Sequence, residues 1–521
     1  ARNAKRKKTF SEQNYYAKPN TYYAWFQRHL LYAPLFRSRK YNSYAISKKN
    51  EQTGRNDVVL VLGSIPGRIQ ALYVLAYFGL SAFLCLFRVD WSDRDTAAKA
   101  TLQHSGTIST LNLIPLILLA CRNNPMLGFC GISGYTRNTL HRWCGRLFVV
   151  GVLCHSLAYL LPQAWQGGME ILKYSYKGNE FLIWGTIAGT ASCIILGQTI
   201  APIRHALYET FYYIHISLAT VAVVGVWMHC QAGNLSALLF VQIAVFIWLT
   251  EAALRVSNVV FRNFGPGATK AEISRTKDEK VAQVNLTVAR PWKLEPGQHI
   301  YLTIPKIGWF TSHPFSVAWV DDEADQTGIN LLVRRHSGFT AGVHSAVGGD
   351  KAPSSALTAV VQGPFGRNSF DSYGNVMFFA SGVGITPHLM QIEHLQESRL
   401  HKTAAVLQIR LFWFIGSLDL FEVAWPQIKR LVDRHEYPDN ILSIQLWATV
   451  KRKGLWSEEL RRYNIEVNYM TLEYRQVKEA LEIELEKEKG AAAVSVCGSG
   501  RFMDIVCDAV RRVKAKWNVD L

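Results

Sequence analysis

The sequence is short of charge and has no cysteine framework, and each scarcity excludes a class. Asp, Glu, Lys and Arg make up only 18 % of 521 residues while apolar types reach 49 %, a balance foreign to disordered chains. Nine cysteines occur, yet no C-x-x-C pair or even spacing is found among them. A disulfide scaffold and a zinc ribbon are therefore not expected, and the thiols read as reduced. Low-complexity tracts are missing, as are internal repeats beyond one pair of histidine intervals. Acidic residues are the scarcer sign, 39 against 57 Lys and Arg. Location decides what the excess means: residues 1–68 hold fourteen Lys/Arg and three Asp/Glu, just ahead of the first long apolar stretch. Such a segment stays on the cytosolic side and touches anionic membrane lipid. Nucleic acid is not an expected partner.

What is abundant is apolar length. Stretches near twenty residues run Ile69–Phe87, Ile108–Cys121, Leu140–Leu161, Phe181–Ile200, Tyr208–Cys230 and Leu235–Leu254, the second being the shortest, and predict six membrane helices. Arg122, Arg137, Arg142 and Arg146 lie between spans two and three and Arg204 between four and five, whereas Trp91–Gly106, Pro162–Glu180 and Gln231–Asn234 are close to neutral. That bias places both ends in the cytosol and makes spans three and five parallel. The chain opens on Ala1 without a signal-peptide pattern, so an upstream piece is expected.

Spans three and five share a pattern: His141 and His155 are fourteen residues apart, and so are His215 and His229. Fourteen residues of helix return to within about 40° of the same face after about 21 Å. His141 thus comes level with His215, and His155 with His229. One membrane histidine is readily a packing residue; four at equal spacing on parallel helices predict two stacked haems, each ligated by two imidazoles. Zinc or copper would need ligands converging on one point. Gly145, Gly151 and Gly225 suit a close macrocycle or plain helix packing. Iron ligated on both faces passes electrons singly, and a cytosol-negative potential favours the outward direction.

After Arg255 the texture becomes that of a soluble half. Val281–Val288 and His299–Ile304 alternate as strands around a Pro296-Gly297 turn, followed by SHPFSVA (Ser312–Ala318), LLVRRHSGFT (Leu331–Thr340) and VQGPFG (Val361–Gly366). Short strands broken by Gly and Pro predict an antiparallel β-barrel. Next, the apolar strand Val376–Ala380 enters SGVGITPHL and a helix to about Arg399. Gly382 and Gly384 let backbone N–H groups approach a pyrophosphate at that helix start, although Pro387 stands where a full G-x-G-x-x-G has its third glycine. Strands Leu407–Phe414, Ile441–Thr449 and Ala491–Val496, the last closed by CGSG (Cys497–Gly500), predict a parallel α/β sheet. Cys497 reads equally as a buried thiol at a strand end.

The four histidines, HPFSVA, GFT, GPFG, GVGITP and CGSG in this order resemble the ferric reductase and NADPH oxidase superfamily, over roughly Gly67 to Leu521. With both intervals at fourteen, a basic segment in front, and RNNPM (Arg122–Met126), the chain is most similar to fungal plasma-membrane ferric-chelate (metallo)reductases. The resemblance implies residues 1–66 as a cytosolic segment, 67–256 as a six-helix di-haem domain, 257–370 as an FAD-binding β-barrel and 371–521 as an NADPH-binding α/β domain, the last two like ferredoxin-NADP reductase. It implies His313, Pro314, Phe315 and Ser316 at the flavin and its phosphate, and Gly338 with Thr340 at the FAD pyrophosphate. Gly382, Gly384, Thr386 and Pro387 would cradle NADPH, with Cys497 and Gly498 beside the nicotinamide. His141 and His215 would ligate the inner haem iron, His155 and His229 the outer, with Arg142, Arg146 and Arg204 available to haem propionates. The activity implied is NADPH-dependent reduction of extracellular ferric or cupric chelates; no catalytic residue beyond the cofactor sites is assigned. Homo-oligomers and regulatory partners are left open. Two departures stand out: no aromatic residue closes the chain, and no Arg follows the second nucleotide-domain strand at Phe414-Ile415-Gly416-Ser417. The rivals are a superoxide-generating oxidase with dioxygen as acceptor, and a transporter or receptor whose soluble half senses nucleotide.

Overall fold

The computed structural model describes residues 20–36, 40–41, 44–49, 56–63, 65–123, 133–265, 267–276, 280–290, 292–309, 311–323, 326–346, 356–366, 368–416, 419–433, 440–448, 460–469, 474–487, 490–514 and 516–521. Asn124–Met126 of the RNNPM stretch, Cys130, Ser417 and Thr449 lie outside them. The chain divides into two compact units, Ser43–Val256 on one hand and Ala1–Asn42 with Ser257–Leu521 on the other.

In the first unit a hairpin of β1 (Tyr44–Lys49) and β2 (Asn56–Gly63) precedes the helices α2 (Arg68–Leu86), α3 (Arg94–Ala120), α4 (Gly134–Tyr176), α5 (Glu180–Gln198), α6 (Ala201–Ala206), α7 (Tyr208–Ala232) and α8 (Leu238–Asn263). Starts are set by short polar caps, Asp93 accepting from Thr96 N, Ser133 from Thr136 N and Asn179 from Leu182 N. Among the described residues five helices, α2, α4, α5, α7 and α8, are long and apolar enough to cross a membrane. The expected second span differs. It is the end of a 27-residue helix, α3, whose first half carries Arg94, Asp95, Lys99 and His104, so only its second half, which packs with Phe148 and Val149 of α4, is continuously apolar, and the helix is not among the five. The third span is longer than expected because α4 continues beyond Pro162 to a break at Gly168, where φ is +63°. Large apolar side chains point away from the bundle, Leu75 at 69 % and Phe246 at 70 % exposed, the reverse of a water-soluble bundle.

The second unit begins with α1 (Thr21–Phe26) and continues from the end of α8 into two antiparallel sheets, ordered β7-β8-β4-β3-β9 and β10-β5-β6. Their strands are β3 (Lys270–Arg275), β4 (Val281–Thr287), β5 (His299–Thr303), β6 (His313–Ser316), β7 (Trp319–Glu323), β8 (Gln326–Arg334), β9 (Leu357–Thr358) and β10 (Val360–Phe365), with α9 (Phe339–Ser345) inserted. Only Ala359 separates β9 from β10, and both sheets close on one core of Ile273, Val284, Ile300, Leu302, Leu331 and Val361. Asn263, ending α8, ties to that wall from both sides of its amide: Nδ2 donates to Val361 O (2.7 Å) and Oδ1 accepts from Val361 N (2.8 Å).

The remaining strands, β11 (Asn375–Ser381), β12 (Gln408–Ile415), β13 (Leu442–Ala448), β14 (Ile465–Tyr469), β15 (Ala492–Cys497) and β16 (Val519–Asp520), form one parallel sheet ordered β14-β13-β12-β11-β15-β16. Helices α10 (Thr386–Leu400) and α11 (Asp419–Val432) cover one face with Leu389, Ile392, Phe421 and Ile428; α12 (Tyr474–Glu486) and α13 (Gly500–Val513) cover the other with Val477, Leu481, Phe502 and Val506. Burial on both faces explains the near-continuous apolar runs of β11 and β12. Residues 20–36 and 40–41 dock on this domain rather than standing apart as a basic tail: Lys514 Nζ donates to Gln27 Oε1 (2.8 Å), and the backbone N–H groups of Lys40 and Tyr41 donate to Asp504 Oδ1.

His388, on α10, is fully buried against Phe378, and burial pulls its pKa down to about 4. A histidine held neutral in the fold but titrating at its ordinary value, about 6.5, when unfolded withdraws stability as pH falls from about 6.5 toward 4. Between pH 7 and 5 this amounts to about 2 kcal/mol. Replacing His388→Leu should shrink the loss in thermal-unfolding midpoint between pH 7 and pH 5; an unchanged loss would assign the acid sensitivity elsewhere.

Candidate functional site

The expected histidine pairs are adjacent in space. His141 on α4 and His215 on α7 have ring centroids 6.3 Å apart, crossed at 71°, and His155 and His229 on the same helices are 6.2 Å apart, crossed at 82°. Among the described residues no group of three or more His, Cys, Asp or Glu gathers as a metal cluster; each pair is two imidazoles facing one another.

What holds the rings comes from the flanking helices. His141 Nδ1 lies 3.0 Å from Leu116 O and His155 Nδ1 2.8 Å from Leu102 O, both on α3, and His229 Nδ1 lies 2.8 Å from Phe181 O at the start of α5. A carbonyl can only accept, so Nδ1 carries the proton in all three and Nε2 keeps its lone pair for a metal. The α3 acceptors are themselves fourteen residues apart and run in reverse order, as an antiparallel neighbour requires. His215 is the exception: among the described residues its Nδ1 has no hydrogen-bond partner. None of these acceptors was legible in the sequence, because a backbone carbonyl leaves no residue signature.

The glycines of these helices serve packing. A Cβ on Gly225 would lie 3.1 Å from Ala188 N and 3.2 Å from Ala188 Cα, and one on Gly151 would strike Ser109. These two seat α7 on α5 and α4 on α3, which supports the packing reading of Gly151 and Gly225. Arg142, Arg146 and Arg204 form one cationic group, near enough that Arg142 and Arg146 both act on Arg204. Arg142 also donates to Thr139 Oγ1 (3.1 Å) and Arg146 stacks over Trp143. Among the described residues no carboxylate forms an ion pair with these three arginines, so the group suits an anionic partner near His141.

In the antiparallel domain, β6 presents His313–Ser316 paired to β5, with Tyr301 opposite Pro314 and His299 opposite Ser316. The His313 ring stacks on Phe339 at 4.7 Å and 18°. Gly338 precedes α9 with φ +65°, and Thr340 Oγ1 accepts from His336 N (2.9 Å), folding the tight turn that joins β8 to α9. Thus His313, Phe315, Gly338 and Thr340 belong to one neighbourhood, since Phe339 also meets the Phe315 ring.

In the parallel sheet, β11 and β15 are neighbours although far apart in sequence, with later strands continuing outward on either side. Such a switch point opens a crevice beyond the strand carboxyl ends. Ser381-Gly382 and Cys497-Gly498 occupy those ends. Gly382 has φ +56° and its carbonyl accepts from Trp413 Nε1 (3.0 Å). Gly382–Ile385 makes a 3₁₀ turn before α10, which starts with Thr386 and Pro387, Thr386 Oγ1 donating to Val383 O (2.6 Å). Gly384 fits so closely under β15 that a Cβ would strike the Cys497 carbonyl, and one on Gly498 would lie 2.7 Å from Ser381 Cβ. Burial raises the Cys497 pKa, keeping it a neutral thiol. The crevice floor is bare backbone, open to a pyrophosphate.

Residues 105–226 match the family described as "Ferric reductase like transmembrane component" and residues 267–369 the one described as "FAD-binding domain". The chain is 26 % identical over 75 % of its length to ferric/cupric reductase transmembrane component 1 of Candida albicans, covering 49 % of that protein. It is 22 % identical over 70 % of its length to ferric/cupric reductase transmembrane component 2 of Saccharomyces cerevisiae, covering 51 % of it, and 26 % identical over 66 % to a probable cell surface ferric reductase of Aspergillus oryzae, covering 47 % of it. The chain therefore spans about half the length of these curated relatives. Among solved structures it is similar to a ferredoxin NADP+ reductase from Neisseria gonorrhoeae, at TM-score 0.32 and 11 % identity over 48 % of this chain and 96 % of that one. By these matches residues 105–226 are similar to the ferric-reductase-like transmembrane family and residues 267–369 to an FAD-binding domain.

Proposed function

We propose that this chain moves electrons across a membrane, from cytosolic NADPH by way of FAD and two bis-histidine b-type haems to an extracellular ferric or cupric chelate. The observation that carries the reading is the separation of the two imidazole pairs, 6.3 and 6.2 Å between centroids. An imidazole nitrogen binds a metal at about 2.0–2.1 Å, so two rings sharing one ion on opposite sides have centres roughly 6 Å apart. When bound, the nicotinamide supplies a hydride, the flavin turns the pair into single electrons, and the haems relay them.

The chain's own residues position and exclude. Leu102, Leu116 and Phe181 hold three imidazoles by their carbonyls, fixing which nitrogen faces inward. Arg142, Arg146 and Arg204 supply positive charge for the haem carboxylates on the His141 side. β6 and Gly338–Thr340 line the flavin site, while Gly382, Gly384, Thr386 and Pro387 leave the first α/β turn open to the NADPH pyrophosphate, with Cys497 and Gly498 beside the nicotinamide. Four imidazoles leave no open position for the acceptor, so the chelate is reduced without being ligated by the chain. The relatives' names, ferric/cupric reductase, support a metal chelate as acceptor, and the positive segment 1–68 supports a cytosolic N-terminal side at the plasma membrane.

His155→Ala or His229→Ala should lose the outer haem and chelate reduction while NADPH still bleaches the flavin; full haem content with unchanged chelate reduction would refute the ligand assignment. Gly384→Ala, forced against the Cys497 carbonyl, should raise the KM for NADPH about tenfold, the range expected of an overpacked buried site, with FAD per chain retained. An unaltered KM would remove this turn from the nucleotide site. Purified protein that forms superoxide freely but leaves ferric and cupric chelates unreduced would replace the reductase reading with an oxidase.

A further inference from the structure

Two glycines of the membrane unit stand apart from the packing glycines. A Cβ added to Gly106 would lie 2.8 Å from both Cε1 and Nδ1 of His155, and one added to Gly185 would lie 2.8 Å from Nδ1 and 3.0 Å from Cε1 of His229. In both, the obstructed group is an imidazole, whereas at Gly225 it is the backbone of a neighbouring helix. Each glycine also sits four residues after the residue whose carbonyl holds that same ring, Leu102 for His155 and Phe181 for His229. Four residues is one helical hydrogen bond. The carbonyl that accepts the glycine N–H therefore accepts the imidazole N–H through its second lone pair, and the ring lies over the bare Cα one turn on. The same device occurs on α3 and α5, against α4 and α7 in turn. It does not occur at the inner pair, where Ala120 follows Leu116 and His215 has no carbonyl at Nδ1.

We propose that Gly106 and Gly185 are positioning residues for the outer axial pair: each leaves the volume its imidazole must fill for Nδ1–H to reach the carbonyl one turn earlier and for Nε2 to face the other histidine. The proposal rests on the haem reading above and says which residues make the outer site. A methyl group at either position would drive the ring back by about 0.7 Å to restore contact near 3.5 Å. A metal–ligand bond tolerates about 0.2 Å, so the ligand is displaced beyond what the bond accepts.

The test uses the full chain purified in detergent, with haem and FAD per chain quantified and haem midpoints measured by potentiometric titration. Gly106→Ala and Gly185→Ala should each reduce haem from two per chain toward one, or shift one of two midpoints, with FAD per chain unchanged. Gly79→Ala, with nothing within 4 Å of the new Cβ, and Gly189→Ala, with its nearest atom at 3.8 Å, should keep both haems and both midpoints. Gly106→Ala added to His155→Ala should remove no further haem, a coupling that general loss of packing would not give. Glycine variants with two haems at unshifted midpoints would overturn the proposal, and so would loss of FAD and both haems together. Wild-type protein without haem would sink the functional reading itself.

Discussion

A ring N–H in the middle of an apolar bundle must find an acceptor, and helix backbones offer only one kind: a carbonyl already engaged by its own helix, with a lone pair to spare. Three of the four membrane histidines are held this way, and the rest of the membrane unit is arranged so that they can be. The acceptor must come from a helix packed beside the histidine's own, so α3 has to lie on α4 and α5 on α7. That closeness requires small residues where the helices meet, which Gly151 against Ser109 and Gly225 against Ala188 provide. With Nδ1 fixed, the remaining nitrogen is free, and the two histidine helices bring their rings to the same separation at two depths.

The soluble unit solves a different problem with similar means. Its candidate crevice is shaped less by side-chain chemistry than by the removal of side chains: Gly384 lies under the Cys497 carbonyl and Gly498 against Ser381. A parallel sheet whose first strand is central makes such a crevice where its strands part to left and right. The antiparallel domain supplies an aromatic wall instead, His313 and Phe315 around Phe339.

The fold classes were legible, and candidate site residues could be named, because both rest on periodicity and on glycine. Fourteen-residue histidine intervals, apolar runs and strand-to-glycine turns all survive in one dimension. Less legible was α3, whose polar first half hides a 27-residue helix behind a short apolar stretch. The docking of residues 20–36 and 40–41 was unreadable for a related reason. Its charges pointed to lipid, while its attachment runs through one buried lysine, Lys514, and through backbone N–H groups on Asp504. Gly145, Gly151 and Gly225 were visible as glycines, but a sequence does not say which atom a missing Cβ would have met.

By itself the sequence determined which helices carry histidine, that His141 and His155 share a face as do His215 and His229, and that strand-then-glycine turns would open a soluble parallel sheet. These follow from helical and strand repeat, which are properties of the chain alone. Only the tertiary structure decided which carbonyl meets which ring, that Gly106 and Gly185 lie against the His155 and His229 rings, and that β11 and β15 become neighbours across more than a hundred residues. Those are facts about pairs of backbones brought together by packing, and backbone atoms are the same at every position until the fold chooses among them.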